Sequence, residues 1–146
     1  MIQVRPATET DLPAIHQLVA ELARYVGSAH KFTATLETYR EDFAAGFFEA
    51  LVAVENGEVI GMALFFNVYS TWKGRMLYLE DFVVSAAHRR RGVGQQLWEA
   101  LKEIGRGRGC QLLKWQIAGH NTEALKFYER QSPELDSSWV DGKLYL

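Results

Sequence analysis

Leu77-Tyr78-Leu79-Glu80-Asp81-Phe82-Val83-Val84, followed closely by His88-Arg89-Arg90-Arg91-Gly92-Val93-Gly94, is the stretch that decides the architecture. The first part is apolar enough for a strand, and after Gly94 the residues Leu97, Trp98, Leu101 and Ile104 share one face of a helix. A glycine-rich turn from strand to helix lets successive backbone N–H groups converge on one point. The first N–H groups of the helix have no partner in its own ladder, so the turn attracts an anion. Arginines at the rim add charge, and glycines remove the Cβ that would keep an oxygen away from the backbone. Two nucleotide readings fail on spacing. No Gly-Lys-Ser/Thr follows, as a P-loop requires, and the third glycine and later acidic residue of a dinucleotide fingerprint are missing.

Working outward, Ile2 to Arg5 reads as a short strand, and a helix starting at Thr8 or Thr10 carries Leu12, Ile15, Leu18, Val19 and Leu22 at three- and four-residue steps. Pro13 favours the later start, because proline is tolerated in the opening turn. A weaker helix spans about Leu36 to Ala45. Ala50 to Val54 and Val59 to Val68 flank Glu55-Asn56-Gly57-Glu58, and Asn-Gly is a strong hairpin signal. Gln111 to Ile117 reads as another strand, and Asn121 can cap a helix reaching about Arg130. Trp139-Val140 and Leu144 to Leu146, around Asp141-Gly142, predict a last short hairpin. The order gives a mixed sheet with helices on both faces, and residues 1–146 read as a single domain without repeat or linker.

Bulk properties narrow the function. A net charge of −2 gives no general attraction to nucleic acid or anionic membrane, so the triple arginine is a local feature. It also lacks the interleaved aromatics of a nucleic-acid groove. No apolar run approaches the roughly 18 residues of a membrane span, and Met1-Ile2-Gln3-Val4-Arg5 is not a secretory leader, so a cytoplasmic location is expected. Cys110 is the only cysteine and reads as a small buried strand residue. His16, His30 and His88 show no ligand spacing, and no metal is expected.

Arg89, Gly92 and Gly94 fill the pattern Arg/Gln-x-x-Gly-x-Gly/Ala, and the turn resembles the acyl-CoA pyrophosphate loop of the GNAT superfamily of N-acyltransferases. The resemblance covers nearly the whole chain. Arg5 to Ile15 is similar to that superfamily's first strand and helix, Tyr78 to Val84 to its central strand, and Asn121 to Tyr128 to the helix after the fifth strand. Leu77 to Phe82, with Trp72 and Gly74 upstream, is most similar to the diamine (spermidine/spermine) acetyltransferases and the thialysine acetyltransferases.

The resemblance implies an α/β fold of GNAT type. Its sheet is mixed and mostly antiparallel, with splayed fourth and fifth strands and helices on both faces. It further implies acetyl-CoA as the acyl donor, direct transfer in a ternary complex, a small primary amine as acceptor (a polyamine, a diamine or a lysine-like amino acid) and a homodimer. A protein or peptide amine, or a silent acyl-CoA-binding module, is the alternative.

Acetyl transfer from a thioester needs an uncharged amine, a stabilised oxyanion and a proton for the leaving thiolate. An alkyl amine is almost wholly protonated at neutral pH. The resemblance gives the base role to Glu80 and ammonium binding to Asp81. Neighbouring strand residues point to opposite faces, so both can line one cleft only if a bulge breaks the alternation. Tyr128 is implied as the acid, since a tyrosine phenol is ordinarily protonated at neutral pH. Backbone at Phe82, Val83 and Val84 is implied to pair with the pantetheine arm. Arg89, Arg90, Arg91, Gly92, Val93 and Gly94 are implied to hold the phosphates. Asn121 reads both as helix cap and as a contact to the arm, and His120 is an alternative base. Trp72 and Tyr25 read either as walls of the amine channel, where aromatic faces attract ammonium, or as packing residues. Two departures bear on specificity. Gln131-Ser132-Pro133-Glu134 replaces the usual Arg/Leu-Gly-Ala, and the hairpin turn at Glu55 to Glu58 is short.

Overall fold

The computed structural model describes residues 1–146, whose contacts divide into two compact units, Met1–Gln116 and Ile117–Leu146. The first holds the sheet. Strands β1 (Gln3–Pro6), β2 (Glu49–Glu55), β3 (Glu58–Ser70), β4 (Gly74–Val84) and β5 (Leu112–Trp115) lie side by side in that order. Three neighbouring pairs are antiparallel, and β4 with β5 is parallel. Asn56 and Gly57 both have positive φ, 52° and 77°, which is the tight turn their dipeptide predicts between β2 and β3.

Helix α1 (Leu12–Tyr25) buries Leu12, Ile15, Leu18 and Val19 on one face of the sheet, against Ala50, Val52, Met62, Leu64 and Val83. Pro13 sits in its first turn, as the later start requires. Helix α2 (Leu36–Ala44) is capped by Thr35, whose hydroxyl accepts from the Thr38 N–H at 3.1 Å. It has no fully buried residue, and only Leu36, Tyr39 and Phe43 pack onto the same core. Helix α3 (Val93–Gly107) covers the opposite face with Val93, Leu97, Trp98, Leu101 and Gly105. Its approach depends on Gly61 of β3. A Cβ there would lie 3.1 Å from the Val83 carbonyl oxygen and 3.3 Å from both Val93 and Leu97. A side chain at position 61 would therefore push the start of α3 off the sheet.

The second unit contains α4 (Thr122–Glu129), capped by Asn121, whose side-chain oxygen accepts from the Ala124 N–H at 3.2 Å. Beyond Ser132 no helix or strand forms, and the hairpin predicted around Asp141-Gly142 is absent. Trp139, Val140, Leu144, Tyr145 and Leu146 are all exposed. A two-stranded ribbon is marginal without an apolar face to rest on, and these side chains find none. A local turn forms instead, with the Asp136 carboxylate accepting from the Ser138 N–H and hydroxyl at 2.8 and 2.6 Å. Cys110 likewise departs from expectation: it is half-buried and lies in the turn ahead of β5, not in a strand.

Candidate active site

The middle of β4 contains the bulge that the paired carboxylates require. Phe65 of β3 stands opposite Leu79, and the next residue, Leu64, stands opposite Asp81. Glu80 is therefore the extra residue. The faces switch there. Leu77 packs toward Gly105 of α3, whereas Val83, also odd-numbered, belongs to the core under α1. Unbroken alternation would have put both on one side. Asp81, opposite Leu64, accordingly turns toward α1 and α2, and the charges of Glu80 and Asp81 both act on the Tyr39 phenol of α2.

Glu80 is exposed, and burial acts on Asp81. That burial pushes the Asp81 carboxyl up to about 6, and the charge of Glu80 adds to the effect. The Tyr39 phenol is pushed up to about 12, first by burial and then by Asp81 and Glu80, so it stays protonated as a donor. Around Tyr39 lie the rings of His16 at 4.9 Å, Phe48 at 5.7 Å and Phe32 at 6.4 Å. His16 is fixed by donating from Nε2 to the Ala34 carbonyl at 2.8 Å. Aromatic rings thus stand on the side of the sheet toward which Asp81 turns, and aromatic faces suit an ammonium and its alkyl stem.

Next to the bulge the sheet opens. β5 pairs only with Met76 to Leu79, and β4 continues to Val84 without it. The phase of the ladder follows from the Ser85 N–H, which donates to the Ile60 carbonyl at 2.9 Å. In an antiparallel pair, alternate residues bond the same neighbour, so Val83 and Ser85 face β3 while Phe82 and Val84 turn their N–H and C=O groups to the open side. The Val84 carbonyl there accepts from Arg89 Nε at 3.3 Å. Phe82 meets Trp98 of α3 edge-on at 6.0 Å, and Val83 is buried in the core under α1.

At the end of β4 the arginine-glycine turn adopts two left-handed residues, Arg90 with φ 62° and Gly92 with φ 78°. The Gly92 carbonyl accepts the first ladder bond of α3, from the Gln96 N–H at 3.1 Å, leaving the N–H groups of Val93, Gly94 and Gln95 outside the helix ladder. No atom lies within 4 Å of where a Gly92 Cβ would stand. The cradle has the shape and polarity of a phosphate site.

The three arginines have different surroundings. Arg89 lies over the Tyr25 ring at 5.5 Å, and Arg91 makes a two-pronged ion pair with Glu55 at 3.0 and 2.7 Å. Tyr25 is therefore at the anion turn. Trp72 is elsewhere: it is 80% exposed in the β3–β4 turn, and Gly74, where β4 begins, is six residues from Glu80. That is about 20 Å of strand. Within one chain the structure does not bring Trp72 together with Tyr25 or the carboxylates. In the second unit, Tyr128 is buried and packs edge-on with Phe127 at 5.5 Å, and His120 lies in the turn ahead of Asn121.

The sequence reading missed Tyr39, Gly61 and Glu55. Tyr39 is on a weakly patterned helix, and the other two matter through partners more than 20 residues away. No group of three or more His, Cys, Asp or Glu side chains is placed to hold a metal ion, and no helix is long and apolar enough to cross a membrane.

Comparison with known proteins agrees with this geometry. Residues 12–132 match the acetyltransferase (GNAT) family. The thialysine N-epsilon-acetyltransferase of Mus musculus is 30% identical over 137 residues, covering 87% of this chain and 81% of that protein. The spermidine/spermine N(1)-acetyltransferase-like protein 1 of Homo sapiens is 29% identical, covering 96% of this chain and 21% of that much longer protein. Among solved structures, an aminoglycoside N-acetyltransferase in complex with CoA superposes with a TM-score of 0.81 at 19% identity, covering 100% of this chain and 96% of the other. The chain belongs to the GNAT family and is an N-acetyltransferase, with thialysine and polyamine-type acetyltransferases among its relatives.

Proposed function

We propose that this chain transfers the acetyl group of acetyl-CoA directly to the primary amine of a small molecule in a ternary complex, with a polyamine, diamine or lysine-like amino acid as acceptor. The observation that carries the reading is the bulge at Glu80, which breaks the strand alternation so that the charges of Glu80 and Asp81 both act on the Tyr39 phenol, next to the split between β4 and β5. Glu80 takes a proton from the amine, directly or through water. Asp81 holds the acceptor's ammonium. The nitrogen attacks the thioester carbonyl, the C–S bond breaks, and the Tyr128 phenol gives its proton to the departing thiolate, the phenolate then taking up the second proton that the nitrogen sheds as the amide forms.

The donor's diphosphate is assigned to the cradle from Arg89 to Gly94, and its pantetheine arm to the outward backbone of Phe82 and Val84; Val83, whose backbone faces β3, is not available to pair with the arm. Open space at Gly92 and the left-handed turn support the fit. Tyr25, beneath Arg89, belongs in this reading to the donor side of the cleft. The family match from residue 12 to 132 runs through both compact units, which supports a single catalytic domain. We further propose a cytoplasmic homodimer; the exposed Trp72 and the apolar C-terminal side chains support a partner surface.

Released thiol, measured with a panel of polyamines, diamines, basic amino acids and peptide amines, tests the proposal. Amine-dependent release with the first three groups is the expected result. Turnover with peptides alone would transfer the reading to protein acetylation. Donor binding without any amine-dependent turnover would make the chain a binding module.

A further inference from the structure

Arg91 lies between two left-handed residues, Arg90 and Gly92, and its guanidinium is held by both carboxylate oxygens of Glu55. Glu55 ends β2, 36 residues earlier in the chain, and its side chain is only 15% exposed. It also faces Glu58 directly across the tight turn, a like-charge pair that is unfavourable by itself and that Arg91 relieves. The ion pair holds Glu55 below the usual carboxylate range.

We propose that Glu55 and Arg91 form a strut that sets the anion cradle, so that Arg91 acts on the donor by positioning the backbone instead of ligating phosphate. This rests on the acyl-CoA reading of the cradle. A non-glycine residue such as Arg90 in the left-handed region is strained, and such a conformation persists only where its surroundings over-determine it. The Glu55 fork does this from a rigid base, the Asn56-Gly57 turn. A bidentate arginine-carboxylate pair fixes orientation as well as distance, which a single point charge does not. The strut also neutralises a carboxylate that would otherwise stand beside a diphosphate site. The helix-start N–H groups then make the direct contact with the anion.

A strut and a phosphate ligand predict opposite responses to loss of Glu55. If Arg91 grips phosphate, Glu55→Ala frees it and donor affinity stays or improves. With a strut, Glu55→Ala weakens the donor, raising KM for acetyl-CoA roughly tenfold, equivalent to about 1.4 kcal/mol. In that case kcat at saturating donor falls much less, and KM for the amine is unchanged. Arg91→Ala is worse than Glu55→Ala, because it leaves Glu55 bare, and the double variant is no worse than Arg91→Ala alone.

The charge swap, Glu55→Arg with Arg91→Glu, recovers part of the affinity if the pair is a strut and is the poorest variant if Arg91 ligates phosphate. Calorimetric titration of each folded variant with acetyl-CoA, alongside steady-state kinetics, reads these outcomes. Unchanged or tighter binding in Glu55→Ala, with wild-type binding intact, overturns the strut and leaves the acyl-CoA reading standing. Absence of donor binding in the wild type overturns both.

Discussion

Asp81 is the cross-strand partner of Leu64, a buried residue of the core under α1. An acid placed against such a neighbour, one residue from Glu80, prefers to keep its proton, and its pKa rises to about 6. The folded state therefore binds this proton more tightly than the unfolded chain. The stability the proton supplies is complete below about pH 4, the ordinary aspartate value, and is lost as pH rises through about 6. Asp81→Asn should raise stability at pH 7.5 by on the order of 1–3 kcal/mol, with the gain vanishing near pH 4. Thermal melts across pH 4 to 8 check this, and a variant less stable than wild type at pH 7.5 would contradict it. The same variant should raise KM for the amine above pH 6, where wild-type Asp81 is charged.

Tyr128 is buried at the end of α4. If its phenol protonates the leaving thiolate, Tyr128→Phe keeps the ring and removes only the proton. A fall in kcat of roughly 10²- to 10⁴-fold is expected, the usual range for general acid catalysis. Acetyl-CoA affinity, read by titration, should stay within about twofold of wild type by the same reasoning, because only the transition state uses the proton. Unaltered thiol release by the variant would remove Tyr128 from the chemistry.

Gly92 has φ 78° with open space around its missing Cβ. Two costs attend substitution, and they can be separated. Gly92→Val adds both backbone strain, about 1–3 kcal/mol, and a side chain in the volume assigned to phosphate. Gly92→Asn tolerates the left-handed conformation far better and adds the side chain alone. Loss of acetyl-CoA binding in both variants is expected. Full binding by Gly92→Asn would mean that the anion sits elsewhere.

The elements legible in the sequence were those with a local cause. The three- and four-residue apolar steps gave α1 and α3, Asn56-Gly57 gave the hairpin, and Asn121 gave the start of α4. The bulge at Glu80 was a conditional reading, required only because two adjacent acids were assigned to one cleft. Its proof lies in the register with β3. Contacts made across long sequence separations left no local pattern. Glu55 pairs with Arg91, 36 residues away, and Gly61 meets Val83 and Val93 across the sheet and α3. The terminal hairpin failed for the converse reason: its turn dipeptide Asp141-Gly142 and flanking apolar residues are a local signal, but Trp139, Leu144 and Tyr145 remain exposed with no face to cover.

Gly61 is where α3 rests on the sheet. A methyl group there meets the Val83 carbonyl oxygen at 3.1 Å, and neither backbone strand can yield easily. Gly61→Val should cost about 1–3 kcal/mol by overpacking and should also weaken acetyl-CoA, because Val93 at the start of α3 is one of the atoms displaced. Chemical denaturation and donor titration measure the two effects. Lost stability with intact donor affinity would show that the cradle does not depend on how α3 is seated.

Asp11 gives a pH response opposite to that of Asp81. Arg5 donates to both of its oxygens at 2.7 and 3.0 Å, and the Thr8 N–H donates to one of them at 2.8 Å. The hydrogen bond from Arg5, opposed by burial, leads in lowering the carboxyl below its ordinary value. A depressed acid contributes stability above its unfolded value, near pH 4, and loses it as pH falls through the folded value. Asp11→Asn should therefore cost on the order of 1 kcal/mol at neutral pH, the loss of a charge-assisted pair whose arginine is partly open to solvent and so partly screened. That deficit should shrink as the solution is acidified below about pH 4. Because the pair ties β1 to the entry of α1, far from the carboxylates of β4, kcat should be unaffected wherever the variant is folded. A deficit that stays constant down to pH 2 would mean that Asp11 stabilises by packing and not by its charge.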